Sequence, residues 1–359
     1  MWNSVRLGGF LVVGVMCVAA ASAQTQQPAA QQGTPATQAG AATQAAGQIS
    51  LDVEVAEKSG EPVGDLQEQD FTLLDNDLPQ KITSFQVVNG REAPIEVILV
   101  IDAVNAPFRN VGYERVQMEK FLRDEEGNLA YPMAVTVFSD QGIQIVGGFV
   151  SDGNALSAAL DKTNIGLRDM GAAAGYYGAA ERLQKSLGAL QLLVSSAAKR
   201  PGRKLIIWVS PGWPLLSGVR TTLDTKQEQQ VFANIVSLST ELLRGRITIY
   251  SIDPVGPNGS VNADWDYGYY LKAVTKPGQV HFGNLGLPVL AVQSGGVAFS
   301  FTNGIADRLH KCVADVAPYY EISFDPPPAK SRDEYHHLEI KLAKPGLTAR
   351  TRQGYYAQP

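Results

Sequence analysis

The rhythm of hydrophobic and polar positions changes along the chain, and each change marks a different kind of element. An apolar run, Leu7–Ala21, follows Arg6 and ends at Ala21-Ser22-Ala23. A basic start, an apolar centre and a small-residue end predict a secretory signal over 1–23, cut after Ala23. Segment 24–48, QTQQPAAQQGTPATQAGAATQAAGQ, has no charged, aromatic or branched aliphatic residue. Such a segment cannot bury enough surface to offset its ordering entropy, which predicts a disordered linker.

From Ile49 the pattern alternates. Ile49, Leu51, Val53 and Val55 point one way before a turn at Ser59-Gly60, and DFTLLDNDLPQKITSFQVV continues with short strands around Asp75-Asn76-Asp77. Period two of this kind predicts half-buried strands, so 49–92 reads as an N-terminal β segment. A different regime occupies 93–317. IEVILVID (95–102), KLIIWVS (204–210) and ITIYSID (247–253) are nearly continuous aliphatic runs, the mark of strands covered on both faces. They predict adjacent central strands, with GGVAFSF (295–301) as a further one and 131–149 as a hairpin. Between them come helical stretches. One spans Tyr113–Arg123. Another, 176–200, carries Leu183, Leu187, Leu190, Val194 and Ala197 on one face. Thr225 and Glu228 read as a capping box opening a helix with Val231, Ile235, Leu238 and Leu242, and Asp307–Val316 is a last helix. Strands alternating with helices predict a doubly wound, mostly parallel sheet in an α/β fold. After Pro318 the alternation stops. YYEISFDPP, YHHLEIKLA and LTARTRQGYY read as three strands of a C-terminal β segment, 318–359. This segment is expected to pair with 49–92 in a small β-sandwich-like part.

Composition narrows the function. Apolar residues are 45% and charged residues 18% of the 359, so the body is globular. A net charge of −5 without a basic block excludes the counterion-displacing surface of a nucleic-acid binder. Cys17 and Cys312 are too few for a disulfide framework or a zinc cluster. Met16 is bulky where a lipoprotein anchor at Cys17 would need a small residue. After signal cleavage no apolar run is long enough to span a membrane. His336 and His337 are neighbours, which in a strand point to opposite faces. No G-x-S-x-G, Walker loop, G-x-G-x-x-G after a strand, HExxH or CxxC occurs, so the chain reads as no enzyme and needs no cofactor.

The order VILVID, paired strands, long helix, KLIIWVSPG, ITIYSID, SGGVAFSF and YYEISFDPP…YHHLEIKL…PGLTARTRQGYY resembles the VWFA-related domain family. These are exported bacterial proteins built around a von Willebrand factor type A fold. The opening VGDLQEQDFTLLDND and the closing Arg352-x-Gly-Tyr-Tyr carry the resemblance most specifically. It implies protein binding at the carboxyl ends of the sheet strands, through a metal held by a D-x-S-x-S loop, a Thr and an Asp of a T-D-G-type turn. The chain departs from that pattern. Asp102 is present, but Val104 and Ala106 replace both serines, and Pro211 stands where the Asp should be. Asp102, assisted at most by Asn105 and Ser210, supplies too few oxygens for magnesium. The degenerate site therefore reads as metal-free, with Asp102 accepting backbone N–H groups of its own loop.

Other chemistry lies in the neighbouring loops. Asn262, Asp264 and Asp266 are spaced like the start of a calcium loop, yet Tyr267 stands where the sharp turn needs Gly and Ala273 where Glu is needed. Aromatic residues follow the core strands: Phe108, Trp213, Trp265, Tyr267, Tyr269 and Tyr270. They either form an exposed hot-spot face for a partner or pack onto the domain's own helices. The expectation is an exported, non-enzymatic protein-binding or adhesion-type module, its partner another protein or a surface polymer. The alternative is a structural subunit of a cell-envelope assembly with a passive α/β scaffold.

Overall fold

A computed structural model describes residues 47–89, 94–163, 165, 175–214, 223–254, 267–300 and 304–359. The signal-like run and most of the linker lie outside these residues. The nearly continuous aliphatic runs form the centre of a six-stranded sheet ordered β10-β9-β8-β5-β6-β7. Its strands are β5 (Ile95–Asp102), β6 (Asn128–Ser139), β7 (Gly142–Asp152), β8 (Arg203–Val209), β9 (Ile247–Ile252) and β10 (Ala298–Phe299). β5, β8 and β9 are neighbours in parallel register, with Leu99 opposite Ile207 and Ile206 opposite Ile249. β7 alone runs antiparallel, returning from β6 as a hairpin.

Alternation within each run sends side chains to two separate cores. Val97, Leu99 and Ile101 meet Met118 and Leu122 of α1 (Phe108–Arg123) and Leu309 and Cys312 of α6 (Ile305–Ala314). Ile98 and Val100 face the other way, onto Leu190 and Val194 of α3 (Gly175–Ala197) and Leu238 and Leu242 of α4 (Thr225–Arg244). Cys312 is a free, buried thiol that burial pushes far above its ordinary pKa, so it is packing and not chemistry.

The terminal segments interleave into two further sheets, ordered β13-β1-β11-β4 and β14-β12-β2-β3. β1 (Ile49–Glu57) pairs antiparallel with β11 (Tyr319–Phe324), which also pairs with β4 (Ile82–Val88). β2 (Phe71–Asp75) lies between β3 (Leu78–Gln80) and β12 (Glu334–Leu342). Leu51, Val53, Leu73, Tyr320, Phe324 and Tyr355 close one core between the two sheets.

Several boundaries differ from expectation, each for a local reason. The stretch Leu347–Tyr356 is two strands, β13 (Leu347–Arg350) in one sheet and β14 (Gly354–Ala357) in the other. At the corner Thr351 Oγ1 donates to the Asp52 carbonyl and Arg352 turns inward to the Gly354 and Ser239 carbonyls. α4 is capped by Asp224 and Gln227, one residue before the expected box, because Asp224 Oδ1 accepts from Gln227 N at 2.8 Å and Gln227 Oε1 from Asp224 N at 2.9 Å. α1 begins at Phe108 and not near Tyr113, directly after Pro107, whose φ of −60° suits a helix entry. Two short helices carry no clear period in the sequence: α2 (Gly153–Lys162), capped by Asp152, and α5 (Leu287–Gln293).

The sandwich sits at the amino-terminal edge of the parallel sheet, and charge fixes it there. Arg203, fully buried at the start of β8, pairs with Glu54 of β1, approaches Asp52 at 3.6 Å and donates to the Val316 carbonyl at 3.1 Å. Its guanidinium lies 4.8 Å from the centre of the Tyr319 ring. Arg246, just before β9, pairs with Asp52 and, at 2.8 Å, with Glu321. Arg350 pairs with Asp315, which also accepts the Tyr250 hydroxyl at 2.8 Å.

Candidate functional site

The opposite edge, at the carboxyl ends of β5, β8 and β9, is where an open α/β sheet gathers its loops. Asp102 ends β5 with no exposed surface. Its Oδ1 accepts from Val104 N at 3.0 Å and Asn105 N at 2.9 Å. Its Oδ2 accepts from Asn105 Nδ2 at 2.9 Å, Trp208 Nε1 at 3.0 Å and Ser210 Oγ at 2.8 Å. Burial raises the carboxyl's pKa, and the bonds from Asn105, Trp208 and Ser210 pull it back.

This geometry does not fit the type A metal. A carboxylate offers about four lone-pair sites, and the donors of Asn105, Val104, Trp208 and Ser210 fill them. Asn105 Nδ2 and Ser210 Oγ donate to Asp102, which leaves Asn105 Oδ1 as the one buried oxygen of these two side chains without a hydrogen-bond partner among the described residues, too few for a hard cation. Among the described residues no three His, Cys, Asp or Glu side chains are grouped to hold a metal. Asp102 instead ties the β5 loop to β8. We expect no magnesium isotherm tighter than about millimolar that depends on these residues. Micromolar magnesium binding lost in Ser210→Ala, measured by calorimetry, would reverse that reading.

A second carboxyl near this edge escaped the sequence reading. Glu114 of α1 is fully buried, and neither oxygen has a hydrogen-bond partner among the described residues. Burial first, then the charges of Asp102 and Asp253, push its pKa well above the ordinary 4.5. A signal existed: Val111, Glu114 and Met118 lie on one helical face, so a carboxyl sits among core positions. Between the unfolded and folded pKa values the folded protein keeps a proton that the unfolded chain has released. Stability therefore falls as pH rises, by about 1.4 kcal/mol per pH unit in that window. Glu114→Gln is expected to match the parent below about pH 4 and to exceed it near pH 7 in urea unfolding. Equal stability at both pH values would show that Glu114 ionises freely.

The aromatic candidates part company. Trp213 is 1% exposed and buried against Trp208, ring centres 5.2 Å apart, in the core shared with Leu287 and Leu290 of α5. It covers the sheet and offers no surface to a partner. Phe108 is the first residue of α1; its side chain is outside what the structure describes. Asn262, Asp264, Trp265 and Asp266 also lie outside the described residues. Tyr267, Tyr269 and Tyr270 fall in the short 3-10 turn Tyr267–Leu271, on the excursion between β9 and β10. Tyr269 is 71% exposed, whereas Tyr267 and Tyr270 are half-buried.

The excursion is built to hold these rings. Tyr269 meets Tyr270 edge-on at 5.1 Å, and both lie against His281, at 6.3 and 6.0 Å. Asn284 anchors the turn, its Nδ2 donating to the Tyr270 carbonyl at 3.2 Å while its Oδ1 accepts from His281 N at 2.7 Å. Gly283 leaves room for the Tyr270 ring, since a Cβ there would come within 2.6 Å of it. Beneath, Val274, Val280 and Leu285 pack on Val231, Phe232 and Ile235 of α4. Sequence reading named the tyrosines but not His281, which lies outside the rim pattern.

No family model matches the chain, and neither does any curated protein. Solved structures overlap it in part. The conserved hypothetical protein BatB from Bacteroides thetaiotaomicron is 14% identical, covering 62% of this chain and 98% of its own, with a TM-score of 0.34. The SpRpn10 VWA domain is 12% identical over 55% of this chain and 94% of its own, with a TM-score of 0.26. Human COPII-coat protein Sec24c is 10% identical over 74% and 44%, with a TM-score of 0.32. Overlaps this partial carry no inference about binding or activity. On its own strand order and pairings, the chain is an α/β protein with a six-stranded, mostly parallel sheet and a β-sandwich-like part.

Proposed function

We propose that this is an exported, non-enzymatic protein-binding module that works without a metal ion. Its binding face is the aromatic excursion Tyr267–His281. One observation carries the reading: Tyr269 stands 71% exposed on a platform of Tyr270 and His281, and Asn284 and Gly283 hold that platform still. Tyrosine offers large, amphipathic contact area at low side-chain entropy cost, and rigid aromatic anchors are enriched among binding hot spots. The buried rim supports the same reading, because Asp102 and Trp213 serve packing and leave contact to the excursion. Export rests on the signal-like pattern of residues 1–23 alone.

A photo-crosslinking amino acid at position 269 of the mature chain, compared with one at exposed Leu78, tests the face. A discrete adduct from 269 and none from 78 is the expected result. Tyr269→Ala should weaken capture of that same partner by about 2 kcal/mol and leave the melting temperature unchanged. The passive-scaffold reading gains from the buried charges that fix the sandwich to the sheet. Adducts from 78 but not 269 would favour it.

A further inference from the structure

A cleft of about 370 Å³ opens at the amino-terminal edge of β6, away from the rim and its aromatic excursion. Its floor is apolar: Phe121 from α1, Tyr131 and Met133 from β6, and Val313 from α6. Its mouth is anionic. Asp124 and Glu125 stand there, exposed, with His310 packed edge-on against Phe121 at 4.8 Å and its Nε2 2.9 Å from Asp124 Oδ2. Arg123, the adjacent base, is turned away to Ser157 Oγ at 2.8 Å and Asp161 at 3.0 Å. α1 and α6 both end at this cleft, so the partial negative charge of two helix C-termini adds to the carboxylates. Lys120 and Lys311 on those last turns are exposed.

The loop that forms the mouth is held in an uncommon conformation. Glu125, Glu126 and Gly127 have φ of +46°, +61° and +82° in succession. Non-glycine residues in this region are strained and persist only where surrounding structure holds them. Here Asn128 Nδ2 donates to the Glu125 carbonyl at 3.0 Å and Asn154 Nδ2 to the Glu126 carbonyl at 2.7 Å. The fold thus fixes the backbone that carries these acidic residues beside an open apolar floor.

We propose that this cleft binds a primary alkylammonium group carried on an apolar stem. The stem lies on Phe121, Tyr131, Met133 and Val313, and the ammonium donates its protons to Asp124 and Glu125 at the mouth. The volume falls within the range of small-ligand sites. It admits one stem of lysine length, whether a partner protein's lysine side chain or a free aliphatic diamine. A lone metal ion is a poor match, because it would leave the apolar floor uncovered.

The test titrates the mature protein with n-hexylamine and with n-hexanol, following backbone amide resonances by NMR. Saturable shifts at residues 129–133 and 313–317 are expected from the amine, with the alcohol about tenfold weaker or more, as a charge-assisted hydrogen bond requires. Combining Asp124→Asn with Glu125→Gln should bring the amine down to the alcohol and leave the alcohol unchanged. Ala314→Trp, at an exposed position lining the cleft, should block both, with melting temperatures confirming that each variant folds. Nα-acetyl-lysine methylamide and cadaverine then separate the sources: tighter binding of the first assigns a partner's side chain, of the second a free diamine. Equal binding of amine and alcohol, or shifts centred elsewhere, would overturn the proposal.

Discussion

Arg203→Ala is expected to cost about 3–5 kcal/mol of folding stability, one of the largest losses a single change here should give. The guanidinium has no exposed surface, and its loss leaves Glu54 and Asp52 facing each other in a buried space. Those carboxylates were desolvated by folding, and without Arg203 the cation left beside Glu54 is Arg350, 4.0 Å away and itself paired with Asp315. Desolvation already raises the Glu54 pKa, with Arg203 and Arg350 opposing it. The single variant removes an attraction and keeps the desolvation, so the cost exceeds the net value of the pair. A double variant separates these terms. Arg203→Met with Glu54→Met removes both charges and keeps the volume, and should recover most of the loss. Urea unfolding of parent, single and double variants reads the difference. A single-variant loss below about 1 kcal/mol would mean that water reaches the network.

β1 and β11 sit side by side in one sheet although the whole α/β part lies between them in sequence. The sandwich therefore closes only when that α/β part has brought its two ends together. Arg203, Arg246 and Arg350 then join the sandwich to the starts of β8 and β9 and to the end of α6.

What the chain's pattern made legible follows the physics of burial. The runs over 95–102, 204–210 and 247–253 are legible because a strand covered on both faces admits almost nothing polar. Asp102 was legible as a loop acceptor because its neighbours Val104 and Ala106 lack hydroxyls. The partners of buried charges were not legible: Arg203 and Glu54 are 149 positions apart, and no local spacing links them. Trp208 donating to Asp102 is a similar case, 106 positions apart, although an indole in so apolar a strand demands an acceptor somewhere. The corner at Thr351–Gln353 was missed because its inward Arg352 reads as an exposed polar residue in any alternating pattern. Aromatic residues were the hardest, since a ring beside a strand end satisfies core and surface equally well.

Trp213→Ala is expected to lower stability by about 3–5 kcal/mol through the cavity it leaves. The ring is 1% exposed, and its edge-on contact with Trp208 sits directly above the indole that donates to Asp102. Removing it should therefore loosen Trp208 and the β5 loop as well as empty a large volume. Tyr269→Ala is the contrasting variant, because its side chain is mostly solvated and leaves no cavity. In thermal and urea unfolding Trp213→Ala should fall far below the parent while Tyr269→Ala stays within about 0.5 kcal/mol of it. Partner capture should reverse the order once temperature is chosen so that both variants are folded: Tyr269→Ala loses affinity and Trp213→Ala keeps it. If folded Trp213→Ala instead lost capture with little loss of stability, the indole would belong to the binding face and the rim, not the excursion, would be the contact surface.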